Sequence, residues 1–187
     1  MDSLPPSPPA LEAPATTPTS PFELGAGGFL LSGGPAGSYM GVSAFFMSEW
    51  GQSVFVRPSL LFGQSSGTGV RSSLGGLRLD VCSRIEGNYT RGSGIQLDLC
   101  GGLDAGWAAV DAGTQAGDPA TSLGMPYLDL GPSVDLRAEL GRAAVTLRTV
   151  AGFDVTQSSY VDVTGARYFA PLWPLRVELA VSWDAGG

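Results

Sequence analysis

The segment Ile95–Ala109, IQLDLCGGLDAGWAA, restricts the fold more than any other part of the chain. Its odd positions are Ile95, Leu97, Leu99, Gly101, Leu103, Ala105, Trp107 and Ala109; its even positions are Gln96, Asp98, Cys100, Gly102, Asp104, Gly106 and Ala108. One face is apolar and the other polar or tiny. A period of two marks a strand with unlike faces, whereas a helix spaces its apolar residues three and four apart. Globular strands usually run about five or six residues. A much longer alternation needs a wide apolar medium on one side, either the core of a large sandwich or a bilayer.

Seven further segments alternate in the same way. They are Phe22–Leu31, Tyr39–Trp50, Val54–Phe62, Val70–Cys82, Tyr127–Leu140, Ala143–Val155 and Trp173–Trp183, with Gly-, Ser- and Pro-rich connections between them. Pro58 falls on the apolar face of its strand and removes one ladder donor. Leu74 is out of phase with Leu77, Leu79 and Val81, so the adjacent Gly75-Gly76 pair is read as a β-bulge that resets the register. The two-residue Gly141-Arg142 connection implies a hairpin. Eight alternating segments without a helical period predict an all-β, antiparallel, up-and-down sheet, and closure into a barrel is the usual way to remove its edges.

Residues 1–20 carry Pro5, Pro6, Pro8, Pro9, Pro14 and Pro18 among Ser, Thr and Ala, and read as a disordered, Pro-rich linker ahead of a barrel domain over residues 21–187. MDSLPPSPPALEAP has neither a basic n-region nor an apolar h-region. An exported form of this protein is therefore expected to be a mature chain or part of a longer one.

The net charge of −7, with ten scattered Arg as the basic residues, argues against a nucleic-acid partner. No run of 18 or more apolar residues occurs, which excludes a transmembrane helix but not a barrel, whose alternating strands leave a weak hydropathy signal.

Which face lies inside decides the function. The polar face collects Glu23, Glu49, Arg57, Arg78, Asp80, Asp98, Asp104, Asp129, Asp135, Arg137, Glu139, Arg148, Asp154, Arg176 and Glu178. In a soluble, lipocalin-like barrel these would meet water, and the apolar face would line a cavity for a small apolar ligand. Three features favour the inverse. Between its charges the polar face is Gly, Ala and Ser, which suits the crowded interior of a narrow barrel. The apolar face is Leu and Val in mid-strand and aromatic toward the ends, with Phe22, Trp50 and Trp183 at one rim and Trp107, Tyr127, Phe153 and Trp173 at the other, as in two interfacial girdles. Tilted strands of ten or more residues also reach across a bilayer's hydrocarbon core. The expected fold is an eight-stranded transmembrane β-barrel. Its lumen would hold a charge network of Arg78, Asp80, Asp98, Asp104, Asp129, Asp135, Arg137, Glu139, Arg148, Asp154, Arg176 and Glu178. Carboxylates outnumber arginines on that face, so interior water or some carboxyl groups that keep their protons are expected.

In this pattern the chain resembles the small eight-stranded outer-membrane barrels of Gram-negative bacteria, the OmpA/OmpX-like class. The last strand, LRVELAVSW, looks like the C-terminal strand that such barrels present to the outer-membrane assembly machinery, although here Trp183 is followed by Asp-Ala-Gly-Gly. The resemblance implies a monomeric bacterial outer-membrane protein embedded in the lipid bilayer. Its loops around Asp118 and Ser158 would face outward.

Cys82 and Cys100 fall on inward faces of consecutive strands, where an oxidising periplasm would allow a disulfide; two small core thiols are the alternative, and no His completes a metal site. The lipid A deacylases, palmitoyltransferases and omptin-type proteases that this barrel class can host are expected to need a His base, and the chain has neither His nor Lys. Asp98 with Asp104, or Asp135 with Glu139, read as structural carboxylates rather than acid/base pairs. GAGG, SGGPAG and CGG lack the following helix that a phosphate cradle needs. The expected protein is non-enzymatic, without a cofactor, and has a structural or surface-binding role.

Overall fold

The structure, a computed structural model, describes residues 22–34, 37–50, 53–66, 71–85, 94–112, 121–157, 159–161, 167–169 and 172–185. The Pro-rich segment 1–20 and the loop around Asp118 lie outside the described residues, as does Ser158.

Every regular element among the described residues is a strand: β1 (Phe22–Gly34), β2 (Gly37–Glu49), β3 (Val54–Ser66), β4 (Arg71–Ile85), β5 (Ile95–Ala112), β6 (Thr121–Leu140), β7 (Ala143–Ala151), β8 (Phe153–Asp154), β9 (Ser159–Val161), β10 (Arg167–Phe169) and β11 (Leu175–Asp184). The sheet runs β5-β4-β3-β2-β1-β11-β7-β6, and β6 pairs back with β5. The result is a closed, wholly antiparallel, eight-stranded β-barrel, in which β8 continues β7 along β6. The connection after Val155, expected as a loop, contains the small β9–β10 hairpin.

Following the pairing once round the barrel gives its stagger. From Asp129 the row passes through Asp104, Arg78, Ser59, Phe45, Gly25, Ser182 and Ala144, and returns to β6 at Glu139, ten residues further on. Eight strands with that shear tilt about 40° from the barrel axis, within the usual range. Phe22, Glu49, Leu140 and Asp184 lie at one end, here the terminal rim; Gly34, Ser66 and Ala112 lie at the other, the distal rim.

The faces are sorted opposite to those of a soluble protein. In β5, Ile95, Leu97, Leu99, Leu103 and Trp107 are exposed, while Asp98, Cys100, Asp104, Ala108 and Val110 are buried. The same holds in β11, where Leu175, Val177, Leu179, Val181 and Trp183 point out and Arg176, Glu178, Ala180 and Ser182 point in. Among the described residues, large exposed hydrophobics outnumber the buried ones. The alternative of a soluble carrier required the apolar face to line the interior, and the structure puts it outside.

Three local expectations are corrected. The β3–β4 ladder is unbroken from Val54↔Ser83 to Ser66↔Arg71, so Gly75-Gly76 is not a bulge. Leu74 instead points inward, 3 % exposed, against Phe29, Tyr39, Leu61, Ala108 and Tyr127. The distal half of the lumen is filled by apolar and aromatic side chains, so an apolar residue on the inner face breaks no register. β5 and β6 also extend further than the alternation shows, to Ala112 and back to Thr121, because small and polar residues replace Leu beyond the apolar belt.

Candidate functional site

Alternation points Arg57 of β3, Arg78 and Asp80 of β4, Asp104 of β5, Asp135 of β6, Arg148 of β7, and Arg176 and Glu178 of β11 toward the axis. All are nearly or fully buried. They form one chain of ion pairs. Arg176 donates to Asp104 at 3.2 Å, and Arg78 donates to Asp104 at 2.6 Å and to Asp80 at 2.7 Å. Arg57 pairs with Asp80 at 3.4 Å and, across the lumen, with Asp135. Arg148 closes the chain on Asp135 at 3.2 Å and on Glu178 at 3.1 Å, and Ser43 donates its hydroxyl to Glu178. Each charge thus has a counter-charge, without which its burial would be prohibitive.

Two smaller groups lie toward the terminal rim. Glu23 accepts from Arg137 at 2.7 Å and from the Ser182 hydroxyl at 2.9 Å. Half-buried Arg84 pairs with Glu49 at 2.9 Å and approaches Asp98 at 4.0 Å; the Gln96 amide donates to Asp98 at 2.6 Å.

Of the twelve residues expected in the network, Glu139 lies elsewhere. It is exposed beside the Gly141-Arg142 turn, because the ten-residue stagger carries that end of β6 to the terminal rim. Asp154 is inward and buried, but its carboxylate caps a turn, accepting from the Thr156 and Gln157 amides and the Thr156 hydroxyl. Asp129 faces inward next to Asp104 and Asp154 in its row, and among the described residues no arginine lies within salt-bridge distance of it. Arg57, which touches two carboxylates at the centre, was legible only as one member of the polar face. Alternation names the face and not the partners across it.

Inward glycines let the large side chains lie flat. Phe45 lies over Gly25, where a Cβ would come within 2.1 Å of the ring, and the guanidinium carbons of Arg57 and Arg148 sit 5.9 and 5.7 Å from its centroid. Tyr127, expected in the outer girdle, is also inward, 5 % exposed. Its ring crosses Gly106 and its hydroxyl reaches Gly76, where a Cβ would lie 2.0 Å away. Its odd position places it on the face of Asp129 and Asp135. The distal lumen retains a cavity of about 20 Å³, room for about one water.

Cys82 and Cys100 are direct partners in the β4–β5 ladder, with Cα atoms 4.0 Å apart and sulfurs at bonding distance. The other girdle residues, Phe22, Trp50 and Trp183 at the terminal rim and Trp107, Phe153 and Trp173 at the distal side, are exposed. Phe153 and Trp173 meet edge to face at 5.2 Å. Among the described residues no group of three His, Cys, Asp or Glu side chains is arranged to hold a metal ion.

No family model and no curated protein sequence matches the chain. Solved structures do. A major outer membrane protein from Thermus thermophilus superposes with a TM-score of 0.64 at 14% identity, covering 87% of this chain and 97% of that one. Neisserial surface protein A gives 0.59 at 11%, covering 87% and 95%. Ail, the attachment invasion locus protein of Yersinia pestis, gives 0.51 at 9%, covering 87% and 95%. The chain has the fold of the small eight-stranded outer-membrane barrels.

Proposed function

We propose that the chain is a monomeric bacterial outer-membrane protein that spans the lipid bilayer as a closed barrel and acts through its rims and loops, in a structural or surface-binding role without enzymatic activity. The observation that carries this reading is the inversion of faces. From Leu77 to Val81, Leu97 to Trp107, Leu128 to Leu140 and Leu175 to Trp183, the outward positions are apolar or Gly, Ala and Pro, and none is charged. With the strand tilt the last three of these stretches rise roughly 20–30 Å along the axis, and the apolar band of a membrane barrel is about 25 Å. Water would have to cover that belt at a large cost, and acyl chains cover it at none.

The lumen supports a role that does not involve transport. Ion pairs from facing strands meet on the axis, aromatic side chains fill the distal half, and among the described residues there the cavity beside Asp104 and Arg176 is about 20 Å³. Delivery of such a barrel to its membrane implies engagement with the outer-membrane assembly machinery, for which the alternating final strand Leu175–Trp183 is the suited segment.

The test is heat-modifiable migration. In mild detergent the folded barrel should run faster on an unboiled gel than after boiling and should give a β-sheet circular dichroism spectrum. A chain that stays monomeric and soluble without detergent would refute the reading.

A further inference from the structure

The cavity in the distal lumen sits where the barrel wall is interrupted. The β6–β7 ladder pairs Ser133 with Val150 and resumes at Leu130 with Phe153, leaving Gly131 and Pro132 opposite Ala151 and Gly152. There the Gly152 amide turns to the Pro174 carbonyl at 2.8 Å, and the Gly131 carbonyl accepts from Arg78 at 3.4 Å. Behind the break, Asp104, Asp129, Tyr127 and Arg176 line the cavity with Val150 and Gly152.

These polar groups are only partly matched to one another. Arg176 is 4 % exposed and spends one nitrogen on Asp104, while its Nε and Nη2 are buried without a partner, as is the Tyr127 hydroxyl. Asp104 and Asp129 are direct neighbours across the β5–β6 ladder. The site therefore offers unused donors and carboxylate acceptors around a space of about 20 Å³. A cation would suit the carboxylates but not the guanidinium, and an anion the reverse. A group that both accepts and donates satisfies both, and that volume holds about one molecule of water.

We propose that this cavity is a built hydration site, in which one fixed water accepts from Arg176 and Tyr127 and donates to Asp104 and Asp129.

The test is a crystal structure of the full chain in detergent, with urea unfolding of Val150→Leu and Tyr127→Phe alongside. The expected result is one density peak at water height about 2.7–3.2 Å from the Tyr127 hydroxyl and the Arg176 guanidinium. Val150→Leu, which fills the space from an apolar wall, should then lower the unfolding midpoint and displace the peak, and Tyr127→Phe should weaken the peak while the ring stays over Gly106. A dry cavity with a Val150→Leu midpoint unchanged or raised would overturn the proposal. So would an ion in place of water, identified by anomalous scattering after a bromide or rubidium soak. If neither variant folds, the density in the unaltered chain decides.

Discussion

Arg57 of β3 and Asp135 of β6 form an ion pair across the lumen, although β4 and β5 separate their strands in the wall. The pair can exist only because the barrel is narrow enough for side chains on facing strands to meet, and it makes Arg57 the junction between Asp80 on one side and Asp135 and Arg148 on the other.

Truncating Arg57 should therefore be costly. Arg57→Ala leaves two buried carboxylates short of a partner, and breaking a buried pair typically costs about 3–5 kcal/mol. The double variant Arg57→Met with Asp135→Leu removes one positive and one negative charge together, and it should unfold in urea at a midpoint well above that of Arg57→Ala. Equal midpoints would mean that the pairing itself does not matter.

Fitting the aromatic side chains depends on missing Cβ atoms. Gly25→Ala drives a methyl into the Phe45 ring and should destabilise the barrel by about 1–3 kcal/mol, the usual range for overpacking. Phe45→Leu in the same chain should recover part of that loss, measured as the coupling term of a double-mutant cycle. Additive losses would contradict the contact.

Cys82 and Cys100 should be oxidised when the folded protein is isolated without reductant. Maleimide labelling in denaturant should then find no free thiol, and two after reduction. The bridge closes a loop of similar length to those for which the chain-entropy model gives about 3 kcal/mol, so Cys82→Ser with Cys100→Ser should lose up to that amount. Two reactive thiols in the unreduced protein would contradict the assignment.

Much of the fold is legible in the sequence because a strand alternates with a period of two. That periodicity sorts Leu99 from Asp98 and Arg176 from Leu175, and eight repetitions of it imply closure. It does not carry register. The ten-residue stagger, which puts Glu139 at the rim and Asp129 in the lumen, is a property of the closed sheet. Nor does alternation distinguish an inward apolar residue from a register shift, so Leu74 reads as a bulge in one dimension and as packing in three. Tyr127 shows the same limit. Aromatics near strand ends suit an interfacial girdle, but its parity, shared with Asp129, places it inside over Gly76 and Gly106. The central position of Arg57 depends on which strands face each other and has no local signal.

An outward charge should be expensive at mid-belt. Leu103→Arg should cost about 2–4 kcal/mol for a barrel refolded into lipid vesicles, falling toward zero for a substitution near the rim, such as Ser83→Arg. On a water-facing surface the same change would stay within about 0.5 kcal/mol at both positions.

The most direct test is collision accessibility of spin labels along β5 in a lipid bilayer, one label per variant at Leu97, Leu99, Leu103 and Ala105, with the Cys82–Cys100 bridge left intact. Lipid-facing positions collide more with oxygen than with a water-soluble nickel chelate. The preference should hold at all four sites and be strongest near the belt's middle. Greater exposure to the chelate than to oxygen at Leu99 and Leu103 would contradict a bilayer around the barrel.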